Sequence, residues 1–171
     1  AENMVKLPVI VYNRKSQEDV FISAVSLRRK LELEAVQGQK NGGKYIRPIV
    51  LFQAQPKNNA DSTTYEKIKH TLMEMGIPES EIAIKTANKD ELKNIDLSSL
   101  DCNIRYIITI NALKEGWDCP FAYILATVAN RTSSIDVEQI LGRILRLPNT
   151  KKNESEVLNL SYVITSSNAF Y

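Results

Sequence analysis

The chain has 171 residues, 43% hydrophobic and 25% charged, enough for one globular domain with a full core and with no low-complexity tract or internal repeat. A net charge of +2 gives no whole-molecule pull toward a polyanion, though it leaves room for a local basic face. Cys102 and Cys119 stand without a second pair and beside a single histidine, His70, which argues against a zinc site. Without a signal peptide or a long apolar run, the chain reads as cytoplasmic, with reduced thiols and no membrane association.

In chain order, "LPVIVYN" predicts a short strand. Ser16 then opens a helix with Glu18 and Asp19 in its first turn and an apolar stripe of Val20, Ala24, Leu27 and Leu31. The basic run Arg28, Arg29 and Lys30 is expected on the solvated side of that helix, and "QGQKNGGK" is expected to be the loop after it. "RPIVLFQAQ" is a continuous apolar run, the mark of a strand covered on both faces. Asp61 or Ser62 is expected to cap the next helix, with the stripe Tyr65, Ile68, Leu72 and Met75, ended by Gly76 and Pro78.

"EIAIKT" predicts a short strand, and Asn88 with Glu91 resembles a capping box for a brief helix. "IRYIITI" and "AYILATV" are two more buried-strand runs on either side of "NALKEGWDCP". "SSIDVEQILGRILRLP" predicts a capped helix, and "VLNLSYVIT" a final strand that suggests a piece of a longer chain. Strands alternating with helices at this rhythm predict an α/β fold with a parallel sheet.

Three stretches imitate phosphate or metal motifs. "GQKNGGKY" has the spacing of a Walker A loop with Lys44 in place, but a helix precedes it and a strand follows. Such a loop works by leading from a strand into a helix N-terminus, and Tyr45 lacks the small hydroxyl a magnesium ion needs. "DELK" (90–93) is expected inside the brief amphipathic helix and not at a strand end. In "PESEIAIK", Ala83 occupies the place of the second acid a nuclease would need. The first reads as a flexible lysine-rich loop and the other two as solvated surface charge.

Phosphate chemistry points elsewhere. With "DVEQILGRILRLP" wound at roughly 100° per residue, Gln139, Arg143 and Arg146 fall within about 60° on one face. Val137, Ile140, Leu141, Ile144 and Leu147 cover the opposite side. Gly142 lies mid-helix beside the polar edge, where glycine costs roughly 0.5–1 kcal/mol relative to alanine. Two guanidiniums one turn apart can grip a phosphate, each with a planar fork of donors. Surface arginines held in salt bridges are the plainer alternative.

These residues resemble a family. Gln139, Gly142, Arg143 and Arg146 match Q-x-x-G-R-x-x-R, motif VI of superfamily 2 helicases; "ALKEGWDCP" looks like motif V and "RPIVLFQAQ" like motif IV, in the right order. "EGWDCP" followed by "QILGRILRLP" is most similar to the DEAD/DEAH-type motor in the Res subunit of type III restriction enzymes. The resemblance implies a RecA-like three-layer α/β/α domain with a mainly parallel central sheet of about six strands. Residues 1–45 would then be a strand and helix leading into the lobe, and residues 46–171 the second RecA-like helicase domain.

In such motors ATP sits between two lobes, and Mg²⁺ is held by the first. The second lobe supplies arginine fingers, so this chain alone is expected to be inactive. By resemblance, Arg143 and Arg146 face the γ-phosphate, and Gln139 orients the attacking water or senses that phosphate. Gly116 lets the nucleotide approach the backbone, and Asp118 reaches a ribose hydroxyl or a motif VI arginine. Lys114, Gln53 and Thr86 line the nucleic-acid side, while Phe52 and Trp117 are read as packing. Neither Glu115 nor Arg131 receives a defined role. The implied partners are double-stranded DNA, the first RecA-like lobe and a DNA methyltransferase (modification) subunit. A catalytically inert nucleic-acid-binding module with the same fold is the alternative.

Overall fold

The computed structural model describes residues 9–54, 64–110, 118–128, 134–143, 145–146 and 153–166, with the backbone alone at 134–136 and 146. The strands are β1 (Val9–Arg14), β2 (Ile49–Gln53), β3 (Ile82–Ile84), β4 (Tyr106–Thr109), β5 (Cys119–Pro120), β6 (Ala122–Thr127), β7 (Leu145–Arg146) and β8 (Ser161–Ser166). The helices are α1 (Gln17–Lys40), α2 (Tyr65–Glu74) and α3 (Ser134–Arg143), with 3₁₀ turns at Glu79–Glu81 and Glu156–Asn159.

Six strands form one parallel sheet in the order β1-β8-β6-β2-β4-β3. The β1–α1–β2 and β2–α2–β3 crossovers step across it one way, and β6–α3–β8 steps back. Right-handed crossovers therefore put α1 and α2 on one face and α3 on the other. The result is the α/β/α layering expected, and it agrees with a RecA-like domain. β1 belongs to this same sheet through its register with β8, from Val9↔Ser161 to Arg14↔Ser166.

Continuous apolar runs became central strands because both their faces are covered. β2 is buried from Ile49 to Phe52, and every residue of β4 and β6 is buried. Phe21 of α1 stacks on Phe52 at 5.2 Å, and Phe52 on Tyr106 at 6.5 Å, so Phe52 and Tyr106 face α1. By alternation, Leu51, Gln53, Ile107 and Thr109 face the other way. Edge strand β1 alternates instead, its Val9 and Val11 each 41% exposed.

The helix boundaries differ from expectation in instructive ways. α1 begins as predicted, with Ser16 Oγ accepting the Asp19 N–H at 3.2 Å, but it runs on through Gly38 to Lys40. No proline interrupts that stretch, and a tight turn closes the helix: Gly43 N–H donates to Gly38 O at 2.8 Å. A Cβ on Gly43 would lie 2.8 Å from that carbonyl, so only glycine fits there. Thr64 is the cap of α2, its hydroxyl accepting from Lys67 N–H at 3.5 Å; Asp61 and Ser62 lie outside the described residues.

The brief helix around Asn88 is absent, and with it the helical setting expected for "DELK". The segment is a turn closed by an antiparallel bridge between Lys85 and Asp90. Glu91 does not cap a helix; its carboxylate accepts the Ile84 N–H at 2.8 Å, tying the turn to the end of β3.

Arg28 overturns its expected place on the solvated side. It sits on the buried stripe of α1, one turn beyond Ala24, and only 5% of it is exposed. Its guanidinium donates to Tyr106 Oη at 3.1 Å, Glu32 Oε1 at 2.8 Å and Pro48 O at 3.3 Å. Glu32 also accepts from Arg105 Nε at 2.9 Å, which links α1 to the start of β4. Burial raises the Glu32 pKa, but the hydrogen bonds and charges of Arg28 and Arg105 outweigh it and hold the carboxyl below its ordinary range.

A lowered folded-state pKa contributes stability above the unfolded value and loses it as pH falls through the folded value. Glu32→Gln is thus expected to unfold at lower urea concentration than the parent at neutral pH. The gap should close as pH drops below the ordinary carboxylate range, which a urea midpoint series against pH measures. A gap independent of pH would show that Glu32 acts through packing alone.

Candidate functional site

α3 carries its polar edge outward. Val137 and Ile140 are buried and Leu141 is half-buried, whereas Glu138, Gln139, Gly142 and Arg143 are exposed. A Cβ built on Gly142 meets no atom within 4 Å. Nothing described in this fold therefore needs a glycine there, although glycine weakens a helix.

Arg146 does not continue that helix. α3 stops at Arg143, and Leu145–Arg146 form the short strand β7, so the single-face arrangement read from the helical wheel does not hold for Arg146. Leu145, only 3% exposed, is drawn into the core, and the backbone exchanges helical bonding for a partner strand. That partner is β5: Cys119 pairs with Leu145 and Pro120 with Arg146, in parallel.

This two-stranded ribbon joins two distant stretches of sequence. Exposed Asp118 immediately precedes β5, and Arg143 lies two residues before β7. Neighbouring strands run about 4.8 Å apart, so the segments bearing Asp118, Arg143 and Arg146 lie side by side. Cys119 is fully buried and burial pushes its thiol pKa up, so it packs and does not act as a nucleophile.

The strand-end residues form a separate group. β5 reaches the sheet through Phe121, whose carbonyl accepts Ile49 N–H at 2.8 Å at the N-terminal end of β2. Gln53 ends β2 at the opposite edge of the sheet. Thr86 lies just beyond β3, and its hydroxyl accepts the Lys89 N–H at 3.1 Å. Register aligns Asn13, Thr165, Thr127, Gln53 and Thr109 across five adjacent strands, a polar layer on the face away from α1. Gln53 Oε1 and Thr109 Oγ1 are buried there without a hydrogen-bond partner among the described residues.

An unpartnered buried hydroxyl costs about 1–3 kcal/mol, and Val matches the shape of Thr. Thr109→Val is therefore expected to raise unfolding free energy by about 1 kcal/mol in urea titration. A comparable loss would reveal a hydrogen bond at that hydroxyl.

Lys114, Glu115, Gly116, Trp117 and Arg131 lie outside the described residues, as does the side chain of Arg146. Sequence reasoning gave no role to Arg47, whose side chain organises the ground beneath the ribbon. It is 1% exposed and donates to the carbonyls of Ile104 (2.8 Å), Ser99 (3.1 Å) and Leu97 and to Tyr45 Oη (3.0 Å). Its position just before a proline-led buried strand was the available signal.

Among the described residues no cluster of metal-ligating side chains occurs, and no helix is long and apolar enough to cross a membrane. Comparison with protein-family models, with curated proteins and with solved structures finds no match for this chain.

Proposed function

We propose that the chain is the second motor lobe of an ATP-dependent DNA translocase or helicase of superfamily 2, most similar to the Res subunit of type III restriction enzymes. The observation that carries this reading is the β5–β7 ribbon, which sets the end of the motif V-like segment, from Asp118 to Pro120, beside the motif VI-like segment of Arg143 and Arg146. A motor lobe needs these two segments together, because both meet one nucleotide. The parallel α/β/α fold and the exposed edge of Gln139, Gly142 and Arg143 support it.

In this reading Arg143 and Arg146 meet the charge that develops on the γ-phosphate, and Gln139 orients the water. Gly116 and Asp118 contact the nucleotide, while a first lobe cradles the phosphates and holds Mg²⁺. Lys114, Gln53 and Thr86 belong to the nucleic-acid side in this reading, and of these Gln53 and Thr86 stand at strand ends on the other edge of the sheet from the ribbon. Double-stranded DNA is the substrate track, a DNA methyltransferase subunit a partner, and the cytoplasm the setting.

Gly142→Ala tests this directly. Open space at the Cβ position predicts that alanine stabilises the chain by up to about 1 kcal/mol, through helix propensity and a stiffer unfolded state. If the glycine leaves room for the other lobe or the nucleotide, ATPase activity of the complete motor falls nonetheless. A Gly142→Ala motor that is both more stable and fully active would return this helix to ordinary structure.

A further inference from the structure

Phe121 has a backbone φ of +68°, in the left-handed region where a bulky side chain is strained and glycine or asparagine is not. Such a conformation persists only where its surroundings fix it. Its ring, in a residue 4% exposed, meets Tyr45 edge-on at 5.9 Å and lies beneath the Arg47 guanidinium at 5.7 Å, within cation–π range. Its carbonyl is bonded to Ile49 N–H at the point where the β2–β6 register shifts. Arg47 is fixed in turn by the carbonyls of Leu97, Ser99 and Ile104.

The location gives this cluster its consequence. Phe121 is the single residue between β5 and β6, so its dihedral angles set the direction in which the ribbon leaves the sheet. We propose that Arg47, acting through the strained Phe121, is a positioning residue for the β5–β7 ribbon and hence for Asp118 and Arg146. It touches no nucleotide; it holds the turn from which the ribbon projects. The catalytic consequence rests on the motor-lobe reading, whereas the mechanical one is independent of it.

Phe121→Gly removes the ring while suiting the left-handed turn. In hydrogen–deuterium exchange on this chain, the ribbon amides of Cys119, Leu145 and Arg146 should exchange roughly tenfold faster, with β2 and β4 amides within about twofold of the parent. Arg47→Lys, which keeps the charge and loses the fork of donors, should shift the same amides in the same direction. No change at the ribbon in either variant, or an equal change throughout the sheet in Phe121→Gly, overturns the proposal.

In the complete motor, Phe121→Gly should lower kcat roughly tenfold with KM for ATP within about twofold, and Phe121→Tyr, which keeps the ring, should restore it. Faster ribbon exchange with kcat intact also overturns the positioning role, provided Arg143→Ala lowers kcat in parallel. If Arg143→Ala is itself without effect, the motor-lobe reading fails and the positioning role falls with it, while the exchange result still decides whether Arg47 and Phe121 hold the ribbon.

Discussion

In the complete motor, Arg143→Ala is expected to lower kcat by about 10³-fold while KM for ATP moves far less. An arginine finger meets charge that grows only as the γ-phosphoryl group leaves, so its loss falls on the transition state. Arg143 is suited to this because it is exposed in the last turn of α3, beside an open Gly142. A plainer role is available too, since a cation in the last turn of a helix interacts favourably with the helix dipole, by about 0.3–1 kcal/mol. The two roles separate under Arg143→Lys. Lysine keeps the charge at the helix end and restores stability, but it lacks the planar fork and should leave kcat low. A phosphate-release assay with duplex DNA present reads the difference, and near-normal kcat in Arg143→Ala removes Arg143 from the site. Arg146→Ala should show a similar loss, though through β7, so it depends on the ribbon as Arg143 does not.

The parts of the fold legible in the sequence are those with a local physical cause. β2, β4 and β6 announced themselves because burial on both faces forbids polar residues along most of each run. α1 began where Ser16 and two acids said it would. What escaped notice depends on contacts across the chain. Arg28 looks like part of a solvated basic run until Tyr106 and Glu32 are seen to hold it. The end of α3 is set by β5, twenty-odd residues away, and two-residue strands are too short to show a period. The wheel therefore placed Gln139 and Arg143 on the exposed face, as the structure has them, and carried Arg146 one turn too far. Of the site, the residue types were readable and their juxtaposition was not, because register is a long-range property.

The largest stability effect is expected at Arg47. A guanidinium 1% exposed carries a desolvation cost, and removing it recovers that cost; Met fills a similar volume. Against this, three carbonyls of the segment leading into β4 lose the donor they share. Those of Leu97 and Ile104 have no other donor among the described hydrogen bonds, while Ser99 O keeps the Cys102 N–H at 3.2 Å. Hydrogen bonds to a charged group are worth about 1.5–3 kcal/mol, and each acceptor left buried and unpaired costs about 1–3 kcal/mol. The carbonyls outnumber the charge, and no other side-chain donor stands in for Arg47 among the described hydrogen bonds to them. Arg47→Met is thus expected to lower unfolding free energy by about 3–5 kcal/mol, a large share of the 5–15 kcal/mol typical of a domain. Urea unfolding of the chain measures it, and Arg47→Lys should lose less because one cationic donor remains. A loss below about 1 kcal/mol for Arg47→Met would mean that water reaches those carbonyls freely, and that the 97–104 segment does not depend on the buried arginine for its place against the sheet.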